Sequence, residues 1–229
     1  MSRPSRGRDP LPVALAVLTL LSGCIDAVSY LALGHVFTAN MTGNIVVLGF
    51  ATAGDPGFSA SRSLTSLLAF LAGAVAGGRI DVHARSRRAR VVLTLVAEAV
   101  AIGLGAGASA LIGLSAEGHR QVVIAMVAVG MGLQNAVVRA LAVPDMTTTV
   151  LTRTLTGLAA ESSLAGGANP RALRRVLSVL AIFAGACLGA VALQHAGAGW
   201  VLLFVAVCVA LTVVGYAAHP ASRHDGPAG

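Results

Sequence analysis

GCIDAVSYLALGHVFTANMTGNIVVLGF, residues 23–50, sets Asp26, Ser29, Tyr30, Thr38, Asn40, Thr42 and Asn44 into an otherwise apolar run. At membrane depth an ionised Asp at a helix centre costs about 2.5–3.5 kcal/mol on insertion scales. So many polar groups together imply either a site or a tightly satisfied helix contact. The rest of the chain decides whether lipid is the solvent. Its hydrophobic share is 56 % and its charged share 11 %, with a mean hydropathy of +0.82. An ordinary soluble domain carries roughly 25 % charged residues. This chain has too little polar surface to cover a core of that size, so lipid must solvate much of it. Six spans of about 20 residues would use about half the chain.

The net charge is +7, and every basic residue is Arg. The arginines cluster in short loops beside apolar runs, which argues for membrane topology rather than nucleic acid. Cys24, Cys187 and Cys208 all lie in apolar runs and read as free core thiols. No His/Cys spacing supports a metal site. No nucleotide-binding loop and no metalloprotease or serine-hydrolase motif is present, so neither an enzyme nor a cofactor is expected.

Residues 1–10 form a polar tail with Arg3, Arg6 and Arg8. The apolar run from Leu11 follows, and with Leu21-Ser22-Gly23-Cys24 it resembles a lipoprotein signal. Against that reading, the run continues to about Leu33. Thr38 to Ala53 is a short segment closed by Gly54-Asp55-Pro56-Gly57. Its helical part, roughly 41–53, reaches about 20 Å against a hydrocarbon core of about 30 Å. Ser63 to Gly78 is a second long run, with Ala72, Gly73, Ala74 and Gly77 at the small-residue spacing that lets helix backbones approach in lipid. A basic loop, 79–90, precedes a third run from Val91 to about Leu114, interrupted only by Glu98. Glu98 is expected to be shielded from lipid and paired.

The second half repeats the plan. Gly132, Asn135 and Ala136 align with Gly23, Asp26 and Ala27; Thr152, Thr154 and Leu158 with Thr42, Asn44 and Leu48; Gly185 and Gly189 with Gly73 and Gly77. Three matches in the same order at nearly one offset point to duplication. The expected organisation is a tail (1–10), a first repeat (11–114), a second repeat (115–218) and a second tail (219–229). If the short segments 41–53 and 147–161 enter the membrane and return, each half crosses three times and the copies are inverted. The loop 79–90 then stays with the cytoplasmic termini, as the positive-inside bias requires. The expectation is an all-α integral membrane protein of about six transmembrane helices, built as two inverted three-helix repeats, each with a short re-entrant or broken helix. It would sit in the inner membrane with both termini cytoplasmic.

Broken segments at membrane depth are tolerated where protein or water satisfies their backbone, and in inverted repeats they commonly form substrate sites. The expected pathway residues are Asp26, Tyr30, Thr38, Asn40, Thr42, Asn44, Gln134, Asn135, Thr149, Thr152, Arg153 and Thr154. Asp26 is either a coupling carboxylate or a structural tie. Arg139 is placed at the cytoplasmic end of its span, and Arg153 needs an acidic partner or an anionic ligand.

The stretches 23–49 and GLQNAVVRALAVPDMTTTVLTRTLTGLAAES, residues 132–162, resemble the two signature regions of the YoaK family of bacterial membrane proteins. The resemblance runs over roughly residues 11–218. It implies an integral inner-membrane protein of about six spans with no established activity. Where that family often has an apolar residue or glycine, this chain has Arg153. The expected function is a secondary transporter or permease for a small solute; the alternative is a non-transporting scaffold or sensor subunit. The expected partners are the bilayer and that solute. The scarcity of aromatics, 4 % of residues, argues against a large apolar pocket.

Overall fold

The computed structural model describes residues 9–141 and 151–223. Among them are eight α-helices and no strand: α1 (Leu11–Ala32), α2 (Met41–Thr52), α3 (Ala60–His83), α4 (Arg87–Ile112), α5 (Glu117–Ala140), α6 (Leu151–Ala160), α7 (Ala172–Ala196) and α8 (Ala198–Ala218). Six of these, all but α2 and α6, are long and apolar enough to cross a membrane. At 1.5 Å per residue, the 12 residues of α2 rise only about 18 Å, well short of a bilayer core. The short helices therefore fall where the sequence places them, with α2 one residue shorter and α6 ending one residue earlier than expected. Residues 147–150 of the expected second segment lie outside the described residues.

Helix starts follow local chemistry. Asn40, Ser59 and Ser86 cap α2, α3 and α4 by accepting a hydrogen bond from the backbone N–H three residues on. Pro10 precedes α1, where a missing N–H costs nothing.

The long helices are held together by glycines. A Cβ on Gly23 of α1 would strike the Ile182 carbonyl of α7, and one on Gly185 of α7 would strike the Leu20 carbonyl of α1. The same crossing recurs between α3 and α5: Gly132 faces the Phe70 carbonyl and Gly73 the Val129 carbonyl. One turn on, Gly189 lies against Cys24 and Ala27, and Gly77 against Leu133 and Ala136. Every residue of the first crossing thus has its counterpart in the second, at the offsets that align the two halves in sequence. Each half's first long helix packs on the other half's second. Backbones this close gain dispersion contacts where lipid gives no hydrophobic drive.

Register fixes helix directions. Along the α1–α7 and α3–α5 crossings residue numbers rise together, so these pairs are parallel. Between α4 and α5, and between α4 and α8, they run oppositely: Gly103 meets Ala206 while Gly199 meets Ala106 and Ala110. The start of α1 shares a groove with the end of α8. Successive long helices therefore alternate in direction. The core cluster, with Leu18, Ile25, Leu95, Ile102, Ile124, Met131, Leu202 and Val205, lies between α1, α4, α5 and α8. Phe183, Trp200 and Leu211 point outward, as lipid-facing side chains do.

Two expectations are corrected. Cys187 is exposed, while Cys24 is buried and Cys208 intermediate, though all three are free thiols. Glu98 is shielded but not paired: it is fully buried and neither carboxyl oxygen has a hydrogen-bond partner. A helix whose outer face is as apolar as its inner one does not show from sequence which side turns inward.

Candidate functional site

After α1 the chain turns sharply at Gly34 and His35, both at positive φ, and dives back along the helix it has just left. Asp26, about 9 Å of helix rise before the end of α1, receives it. Its Oδ1 accepts from the backbone N–H groups of Ala39 (2.9 Å) and Thr38 (3.3 Å). Free N–H groups ahead of a helix start favour an anion, and here the chain supplies its own.

The other side of the loop is closed by Asn44 and Ser66. Asn44 accepts from Phe37 N–H at 2.8 Å and donates to Phe37 O at 2.5 Å. It also donates to Ser66 Oγ at 3.1 Å, and Ser66 donates to Phe37 O at 2.6 Å. The broken backbone therefore finds its partners in side chains of α1, α2 and α3, as irregular backbone at membrane depth must. The Thr38 hydroxyl is buried without a partner. Outside the loop, the Arg62 guanidinium grips both Glu117 carboxyl oxygens, at 2.8 Å from Nε to Oε1 and 2.5 Å from Nη2 to Oε2.

On its free side this wall bounds an open cavity of about 600 Å³. Tyr30, Phe37, Asn40, Thr42, Gly43, Val46, Val47, Phe50 and Phe58 line it from the first half, and Leu151 and Thr152 from the start of α6. Ligand sites commonly fall in the range of about 300–1,000 Å³. Four of the nine aromatic residues gather here. Tyr30 stacks on Phe37 with centroids 5.0 Å apart, and Phe50 leans on Phe58 at 5.4 Å. The low aromatic content of the chain thus conceals a local concentration of them, which corrects the argument against an apolar pocket. No charged side chain is among the lining residues.

Of the twelve expected pathway residues, Tyr30, Asn40, Thr42 and Thr152 line the cavity. Asp26, Thr38 and Asn44 lie behind its wall and shape it. Gln134 is buried between helices and donates to Ser22 Oγ at 3.2 Å. Asn135 donates to Met131 O one turn back, at 2.8 Å. Thr154 is buried and Arg153 exposed, and neither lines the cavity. Thr149 lies outside the described residues. Arg139 is exposed at the last turn of α5. Sequence reasoning missed Phe37, Phe50 and Phe58; their crowding between residues 37 and 58 was the available signal.

The far end of α6 is fixed differently. Arg175 of α7 is buried and forms an ion pair with Glu161 at 2.9 Å, its guanidinium lying against Gly157.

A family model described as "Protein of unknown function (DUF1275)" matches residues 14–215. The chain is 31 % identical over 149 residues to "UPF0700 transmembrane protein YoaK" of Bacillus subtilis (strain 168). That match covers 63 % of this chain and 64 % of the relative's length. No solved structure matches the chain. A family match that spans almost all of the six-helix bundle, including both short helices, settles its kinship: the chain belongs to the DUF1275 family of polytopic membrane proteins, to which it is joined by its likeness to YoaK.

Proposed function

We propose that the protein is a secondary transporter or permease for a small solute, with the cavity between α2 and α6 as its binding site. One observation carries the reading: the start of the short helix α2 and the first described turn of α6 meet at one cavity, about 600 Å³ in volume. The alternating helix directions and the paired glycine crossings support reading the halves as inverted copies. In that reading α2 and α6 enter from opposite faces, and the halves rock around the shared site. The uncharged, aromatic and amide-bearing lining favours an uncharged solute with an apolar part. Orientation follows from charge. The ends of the bundle shared by the start of α1 and the loop between α3 and α4 carry Arg79, Arg85, Arg87, Arg88 and Arg90, which supports reading that face and both termini as cytoplasmic, in an inner membrane.

Thr42→Trp and Thr152→Trp fill the cavity from either helix. Solutes that raise the melting temperature of the wild-type protein would be found first, since a ligand stabilises by mass action. Both Trp variants are expected to insert and fold, yet lose the solute-induced shift and uptake into proteoliposomes. Uptake at the wild-type rate in both variants contradicts the proposal.

A second reading, a non-transporting scaffold or sensor subunit, is favoured by one feature. Asp26 and Asn44 spend their hydrogen bonds on their own loop. In that case no solute shifts the melting temperature, and the Trp variants behave as the wild type.

A further inference from the structure

Midway along α4 the bundle encloses a carboxyl group for which neither the broken loop nor the cavity has a use. Glu98 is fully buried, and both Oε1 and Oε2 lack hydrogen-bond partners. One turn earlier the Thr94 hydroxyl is also buried and unpartnered. The wall across from it is Gly130 of α5, where even a Cβ would come within 3.4 Å of the Glu98 backbone oxygen.

Among the described residues, no charge faces this place. On α5, Glu117, His119 and Arg120 stand at the start and Arg139 at the end, each more than two turns from Gly130. On α3, Arg62, Arg79, Asp81 and His83 sit toward the ends, with Arg62 held by Glu117 and Asp81 by Arg90. On α8, the register that sets Ala206 against Gly103 leaves Tyr216 beyond Glu98 by more than a turn. Cys208, the other titratable group of α8, neighbours Cys24 of α1.

An ionised carboxylate with no cation and no donor is the costliest group a bundle can enclose. A permanently neutral structural acid would ordinarily have its hydroxyl bonded to an acceptor, and this one has none. What remains is a group that is enclosed in one state and wet in another. We propose that Glu98 is a proton-carrying site: it holds a proton while α4 and α5 are closed over it and exchanges that proton with water when they part. The step is an acid–base equilibrium. The carboxylate takes H⁺ from water on one side of the membrane, and the acid returns H⁺ to water on the other. No bond to carbon changes, and no electron is transferred. This inference rests on the transporter reading and names its coupling ion as H⁺.

Infrared difference spectroscopy on the full chain in proteoliposomes tests it without any solute. The wild type is expected to show a carboxylic-acid carbonyl band that is missing in Glu98→Gln and loses most of its intensity as the pH is raised from mildly acidic to alkaline. Glu98→Asp should restore a titrating band at a shifted frequency, which covers a Glu98→Gln variant that fails to insert. Superimposable spectra of wild type and Glu98→Gln, or a Glu98 band that is constant across that range, would overturn the proposal. The readout separates the two ideas. Glu98→Gln is expected to keep solute exchange at equilibrium while losing at least about tenfold in proton-driven accumulation. A protein that moves no solute at all but shows the titrating band refutes the transporter and leaves the proton site standing.

Discussion

α2 and α6 occupy matching places in the two halves, and the described residues show a different tie at each. α2 is tied at its beginning: a carboxylate on α1 gathers the backbone N–H groups ahead of it, and Asn44 and Ser66 close the loop. α6 is tied at its end, where the buried Arg175 meets Glu161. The position equivalent to Asp26 is Asn135, a neutral amide, one of whose bonds goes to Met131 O in its own helix. The position equivalent to Ser63 is Arg175, and to Ser66, Ser178. The backbone plan was kept while its chemistry diverged. Among the described residues, the first break is held by a carboxylate, and the matching position of the second half is a neutral amide.

The comparison breaks most sharply at the crossings. Gly73→Leu and Gly185→Leu each drive a side chain into a backbone carbonyl of the facing helix. Overpacking of a tight core typically costs about 1–3 kcal/mol, and more when backbone must move. Both variants are expected to lose folded protein on size-exclusion chromatography in detergent, and to the same degree. Tolerance of one and not the other would show that the two crossings are not equivalent.

At the breaks the two matching positions can be compared directly. Asp26→Ala strips the acceptor from two backbone N–H groups and should cost about 1–3 kcal/mol in thermal unfolding. Asn135→Ala removes the matching amide, and its loss in the same assay is the comparison. Equal losses would mean that the second break depends on its amide as the first does on its carboxylate. Asp26→Asn keeps an acceptor oxygen and should stay close to wild-type stability.

The smallest effects belong to the exposed partners of the two ion pairs. Glu117 and Glu161 are both about half exposed, at 46 % and 47 %. Glu117→Gln and Glu161→Gln should each cost about 0.2–1 kcal/mol. The loss at Glu117, whose arginine is also partly exposed, should shrink further at high salt. A loss at Glu161 that salt does not diminish would sharpen the contrast, since Arg175 is enclosed and Arg62 is not.

Much of this was legible from residues alone. Apolar run lengths separate the six spans from α2 and α6, because a bilayer sets a minimum length that a protein core does not. The glycines of 23, 73, 132 and 185 announce the crossings, since lipid rewards small residues at helix contacts. Facing was not legible. In α7, Phe183 and Leu188 look outward while Gly185 and Gly189 look in, the reverse of a soluble helix. That inversion is why Cys187 was expected inside and lies outside. Nor could sequence tell that Asp26 serves the loop that follows it. The pairing depends on the chain doubling back at Gly34 and His35, so that Asp26 meets Thr38, twelve residues further on.

Accessibility of two loop cysteines tests the architecture most directly. In a background without Cys24, Cys187 and Cys208, Asp55→Cys sits just past α2 and Ala168→Cys just past α6, both in exposed turns. If the short helices turn back, a membrane-impermeant maleimide labels residue 55 from the periplasm of intact cells and residue 168 only after the inner face is opened. If both short helices span instead, the two positions share one face, and labelling from the same side would contradict the account.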